Sequence, residues 1–168
     1  DYRRLADSQP DAILIEVPHK VQDEIAVWAL EAGFDLLIGG SLASSLRNGD
    51  RILQVAARQE RIVEVGYQRR YDPVWEEIRR LIVDGILGEP VMAVSMAFWN
   101  PDPQQWYYDQ NASGGMPLTH LSYCYLNAIR WILGKPTFVS AAANQKVEKG
   151  PEHVLEETCA ALIQFESG

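Results

Sequence analysis

His120 and Cys124 stand four residues apart in the stretch 113–131, SGGMPLTHLSYCYLNAIRW, whose apolar residues recur at helical spacing. On a helix such residues are neighbours on one face, so an imidazole and a thiol there could form a base–nucleophile pair or supply two metal ligands. Neither set is complete, because no third ligand or orienting acid has a matching spacing. A packed helix face accounts for the same pattern, and Asn127 and Trp131 continue it. Gly39-Gly40-Ser41, ahead of a second helical stretch, could hold an anion at the helix N-terminus or make only a tight strand-to-helix turn. Arg69, Arg70 and Tyr71 offer cationic and phenolic groups to a ligand, and read equally as surface residues. Trp99, Trp106, Tyr107 and Tyr108 could stack on the apolar face of a sugar ring or anchor their own loop. His19 and His153 are isolated histidines that carry no signal on their own.

The elements that must position these groups change character along the chain. Residues 12–17, AILIEV, ending at Pro18, have the length and composition of a buried parallel strand. A helix over 20–32 follows, with Val21, Ile25, Trp28 and Ala29 on one face and Gly33 as its left-handed stop. Then come a strand at 35–38, a helix over 42–58 weakened at Asn48-Gly49, and a strand over 61–67. Three strands joined by two helical crossovers predict a βαβαβ unit, one half of a doubly wound α/β fold. No G-x-G-x-x-G occurs, so the pyrophosphate site is expected in two upstream βα units, roughly 60 residues in all.

Beyond residue 67 the pattern predicts a helix over 73–84 opening on Pro73, a strand over 91–99, and a Pro-, Gln-, Trp- and Tyr-rich loop over 100–112. The helix carrying His120 follows, with Met116, Leu118, Leu121, Tyr125, Ile129 and Ile132 as its core-facing stripe and Gly134 as its stop. Strands over 137–145 and 156–165, with a polar turn at 148–151, complete the reading. The start at Asp1 without a methionine and the stop directly after an apolar strand read as a fragment of a longer chain.

The 168 residues carry a net charge of −8 with no basic cluster longer than Arg69-Arg70, which argues against a nucleic-acid partner. The two cysteines, Cys124 and Cys159, have no metal or redox spacing and read as reduced thiols of a cytoplasmic protein. No apolar run is long enough to span a bilayer, and no metal site is expected.

Several of these landmarks, in this order, resemble the Gfo/Idh/MocA family, the relatives of glucose-fructose oxidoreductase and inositol dehydrogenase. The family pattern of a Gly-rich turn, Asp-x-Gly-x-His and a helix ending Arg-Trp overlays Ser113, Gly114, Gly115, Met116, His120, Ser122, Cys124, Arg130 and Trp131. VPHKVQDEIAVWALEAG resembles the segment after the fourth Rossmann strand, with His19 where the family has asparagine, and GYQRRYDP (66–73) matches the join between the two domains. The resemblance implies the second half of a Rossmann dinucleotide-binding domain in residues 1–68 and part of an α+β substrate or oligomerisation domain, with a mostly antiparallel sheet, in residues 69–168. It implies cofactor contacts at Pro18, His19, Gly39, Gly40, Gln68 and Arg69, and substrate contacts at Arg70, Tyr71, Trp106 and Asn127.

The catalytic positions depart from the family. Gly40 stands where the family has the lysine of Glu-Lys-Pro, His120 where it has aspartate, and Cys124 where it has the catalytic histidine. The family lysine sets a positive charge beside the reacting hydroxyl, and losing one such group typically costs about 3 kcal/mol of barrier. The histidine accepts the hydroxyl proton, worth roughly 10² to 10⁴ in rate, and a thiol in an apolar helix is a poor substitute. His120, one turn earlier, is a candidate displaced base. The resemblance therefore implies an NAD- or NADP-dependent oxidoreductase for a sugar or polyol, homo-oligomeric at full length and catalytically impaired. A non-enzymatic ligand-binding or assembly protein is the alternative.

Overall fold

The structure is a computed structural model that describes residues 1–99, 102, 104–115, 117–144 and 158–167. The Met116 end of the apolar stripe, the expected turn at 148–151 and His153 lie outside the described residues. A 3₁₀ helix, Tyr2–Ser8, leads into β1 (Ala12–Ile15), α1 (His19–Glu31), β2 (Asp35–Ile38), α2 (Leu46–Gln59) and β3 (Val63–Val65). A 3₁₀ turn, Gln68–Tyr71, precedes α3 (Pro73–Val83). A 3₁₀ turn, Trp106–Tyr108, and the short helix α4 (Gln110–Ser113) then lead to a π-helical stretch, Pro117–Ser122, that runs into α5 (Tyr123–Leu133). The strands β4 (Pro136–Asn144) and β5 (Thr158–Phe165) follow.

The first three strands pair in parallel in the order β1-β2-β3, with Ile13 beside Leu36 and Ile38 beside Val65. Two successive right-handed crossovers in one direction put both helices on the same face of a sheet. Accordingly Ile13, Ile15, Leu36 and Ile38 form one core with Ala26, Leu30, Ile52 and Val55 of α1 and α2. The expectation of a strand buried on both faces needs correction, because Leu14 and Leu37, which point the other way, are 62% and 42% exposed. No described element covers that face.

Local chemistry sets the helix ends. Gly33, just past α1, has φ +89° and supplies the left-handed stop. The helix expected from residue 42 starts later, at Leu46, because Ser45 caps it by accepting from the Asn48 amide. Asp72 caps α3 in the same way through the Val74 amide, with Pro73 in the first turn. The alternating stretch 91–99 forms no ladder, and Val91, Val94 and Phe98 are exposed. β4 and β5 pair antiparallel, from Pro136 opposite Phe165 to Asn144 opposite Thr158, with an irregularity between Pro136 and Phe138.

Replacing Leu30, which is fully buried in this core, with Ala is expected to destabilise the chain by about 2–5 kcal/mol. Leu14→Ala on the open face is expected to stay within about 0.5 kcal/mol. Equal losses for the two in chemical denaturation would contradict this placement of the core.

Candidate functional site

A cleft of about 530 Å³ opens at the carboxyl ends of the parallel strands, the end of an open α/β sheet where ligands characteristically sit. Glu16 and Val17 leave β1 into it, Pro18 and His19 begin α1 beside it, and Gly39 and Gly40 follow β2 along its floor. Gln68 and Arg69 enter after β3, while Trp106, His120, Leu121, Tyr123, Cys124 and Tyr125 close the far wall.

The wall and the sheet are joined through His19, which is 2% exposed. Its Nδ1 lies 2.8 Å from the carbonyl oxygen of Ser113. A carbonyl only accepts, so Nδ1 donates and a neutral ring presents Nε2 with a free lone pair. Nε2 lies 3.7 Å from where a Cβ on Gly40 would stand, so it faces the glycine floor of the cleft. Ser113 is fully buried and fixed in turn, its Oγ donating to the Asp109 carbonyl (3.0 Å) and accepting from the Gly115 amide (3.2 Å).

The loop after β2 is held by α1. Gln22, fully buried, donates through Nε2 to the carbonyls of Ser41 (2.8 Å) and Leu42 (3.1 Å). Asp23 accepts from the Ser44 amide and hydroxyl and, at 2.6 Å, from Asn48 Nδ2. The Gly-Gly turn then packs on this loop so closely that a Cβ on Gly114, at φ +74°, would lie 2.7 Å from the Ser44 carbonyl oxygen.

His120 sits among aromatic rings. Trp99 and Tyr107 stack on it, with centroids 5.5 and 4.7 Å away, and Trp106 meets it edge-on at 5.0 Å. Burial, with the nearby His19 as a smaller cause, lowers its pKa to about 4, so it is neutral at physiological pH and a weak proton acceptor. Cys124 is 4% exposed. Arg69 donates to the Tyr125 hydroxyl (2.6 Å) and pairs with Asp72 at 3.5 Å, while its Nε has no partner. Burial opposes its charge, but the adjoining Cys124 thiol and Tyr125 phenol more than offset this, and its pKa is raised.

Nine of the residues read from sequence therefore meet in one cleft: Pro18, His19, Gly39, Gly40, Gln68, Arg69, Trp106, His120 and Cys124. Arg70, Tyr71 and Asn127 are not among its lining residues. Arg70 Nε donates to Asn127 Oδ1 at 2.7 Å, and Tyr71 is 72% exposed. Glu16, Tyr123 and Tyr125 were missed. Glu16 could have been found by its place directly after β1 at the carboxyl edge. Among the described residues no cluster of three His, Cys, Asp or Glu could hold a metal ion, and no helix is long and apolar enough to cross a membrane.

Two outcomes follow. His120 is expected to titrate near pH 4 by NMR, and because its folded pKa lies below the unfolded value, stability should fall as pH drops from about 6.5 toward 4. A midpoint near the ordinary histidine value would refute the aromatic enclosure. Gly114→Ala combines left-handed backbone with a clash against main chain, and is expected to cost more than about 1 kcal/mol in thermal or denaturant unfolding.

Comparison with known proteins agrees with this architecture. A model of the GFO/IDH/MocA C-terminal domain matches residues 75–168. Inositol 2-dehydrogenase of Corynebacterium glutamicum (strain R) is 26% identical over 165 residues, covering 98% of this chain and 47% of that protein. An NAD binding oxidoreductase from Klebsiella pneumoniae superposes with a TM-score of 0.86 at 24% identity, over 100% of this chain and 48% of the other. The WlbA dehydrogenase from Bordetella pertussis, in complex with NADH and UDP-GlcNAcA, does so at 0.87 and 19% identity, over 99% and 48%. The chain spans about half the length of the curated relatives it matches. With the family's C-terminal domain matched over more than half of its residues, this chain belongs to the Gfo/Idh/MocA family.

Proposed function

We propose that the chain forms the nicotinamide- and substrate-facing part of an NAD(P)-dependent oxidoreductase acting on a CH–OH group of a sugar or polyol. The observation that carries this reading is the cleft itself, where the carboxyl ends of three parallel strands meet residues of the matched family domain. In this reading residues 1–68 are the second half of a Rossmann domain and residues 69–168 part of the substrate domain. The relatives support the reaction class, since they include inositol 2-dehydrogenases and a D-xylose 1-dehydrogenase [NADP(+)].

The cleft suits the nicotinamide end of such a cofactor. Gly39 and Gly40 leave main chain bare on the floor, and a Cβ at position 39 would stand 3.2 Å from the Glu16 side chain. Pro18, His19, Gly39, Gly40 and Gln68 would hold the ring. A nicotinamide cofactor bound there would supply the hydride acceptor. Arg69 sets a fixed positive charge in the wall, and Trp106 and Tyr123 give aromatic surface for the apolar face of a polyol. Full-length homo-oligomerisation is part of the proposal, supported by Phe138, Val139 and Leu162, which leave apolar surface exposed on β4 and β5.

Turnover is expected to be low. Gly40 and Cys124 remove the family's cation and base, and the buried Cys124 offers no comparable proton acceptor. That burial also favours the second reading, a protein that binds a sugar in this cleft without oxidising it. The protein expressed at its natural length should reduce NAD⁺ or NADP⁺ with at least one member of a sugar and polyol panel, at a kcat about 10²-fold or more below a typical 10 s⁻¹. Saturable binding of both ligands with no reduced nicotinamide formed would establish the second reading instead.

A further inference from the structure

We propose that His19, at the start of α1, is the proton acceptor of this site, replacing the base lost at position 124. The inference rests on the oxidoreductase reading above and deepens it. The Ser113 carbonyl, 2.8 Å from Nδ1, requires the proton on that nitrogen, so in the neutral ring Nε2 is the acceptor. The ring is 2% exposed, so competition from bulk water for that lone pair is small. Nε2 faces Gly40, the position of the family's lysine, and both residues line the cleft.

The other candidates are worse placed. His120 is enclosed by Trp99, Trp106 and Tyr107 and binds a proton weakly. Cys124 offers a thiol rather than an imidazole and lies beside the Arg69 guanidinium. Edge-on contact with Trp106, at 5.3 Å between centroids, and the Ser113 bond fix the His19 ring at both sides, as a base must be fixed to meet a hydroxyl.

In the step assigned to it, the substrate O–H bond breaks and its proton passes to Nε2 of His19. The C–H bond of the carbon bearing that hydroxyl breaks with its electron pair and the C–O single bond becomes C=O, and a bound oxidised nicotinamide would be the acceptor of that two-electron hydride. His19 becomes an imidazolium that still donates through Nδ1 to Ser113, so the anchoring bond survives the transfer and strengthens with the charge.

The test is ¹⁵N-edited NMR of the histidine rings, with NAD⁺ present and myo-inositol, glucose or xylose as probe. His19→Gln, which keeps a donor for the Ser113 carbonyl, identifies the His19 signals by their loss. The expected result is a protonated Nδ1 and an unprotonated Nε2 on His19, with Nε2 shifting when a probe binds. In protein of natural length His19→Gln should lower kcat by about 10²- to 10⁴-fold while KM changes far less. A proton on Nε2, or probe-induced shifts at Trp106 and Tyr123 with Nε2 silent, would overturn the assignment and leave the oxidoreductase reading standing. No shift anywhere in the cleft with any of the three probes would overturn both.

Discussion

The hydrogen bond between His19 and the Ser113 carbonyl joins residues 94 positions apart, and the cleft depends on it. On one side lies the parallel sheet with its two helices, which holds most of the buried apolar side chains. On the other lies a wall whose described buried residues are few, Ser113, Cys124 and Ala128 among them. Hydrophobic burial is non-directional and sets no angle between such parts, whereas a buried donor meeting a buried carbonyl does. Removing one partner would strand the other away from water, at about 1–3 kcal/mol. The close seat of Gly114 on Ser44 works in the same direction, because it sets how near the Gly-Gly turn comes to the loop after β2.

The polar contacts around this bond form a chain rather than a shell. Gln22 and Asp23, adjacent on α1, hold the loop at residues 41–44, and His19, one turn earlier on the same helix, holds the opposite wall. One helix N-terminal turn thus indexes both sides of the cleft against the sheet. The arginines after β3 divide the work on the remaining side. Arg69 enters the cleft, while Arg70 braces α5 through Asn127 and lies near the Trp131 ring, with centroid and guanidinium 5.8 Å apart.

Much of the scaffold was legible because its signals are local. The strand at 35–38 and the glycine stop at 33 follow from run length and backbone freedom alone. Leu14 and Leu37 misled because β-run composition does not say which face the crossovers cover. The stretch 91–99 misled because an alternating pattern makes a strand only when another edge accepts its hydrogen bonds, and no described strand does so. The helix carrying His120 was read as one helix, but its first described turns are π-helical, and in α5 the buried residues are Cys124 and Ala128 while Tyr125, Ile129 and Ile132 are half-buried. At the site, the family landmarks named Pro18, His19, Gly39, Gly40, Gln68 and Arg69 as cofactor contacts, and all six line the one cleft. His19 was marked only by its place in the VPHK segment, and its bond to Ser113 had no sign in the linear sequence. Its significance is a long-range contact, which no local pattern encodes.

Gly40 also bears on how this sequence can change. Its φ of +95° belongs to backbone that side chains rarely adopt, so a lysine codon arising there would meet a loop already shaped against it. A side chain there would strain the backbone of a loop that is tied down by Gln22 and Asp23. A single substitution to lysine therefore carries a backbone cost that a change at a neighbouring position with negative φ avoids.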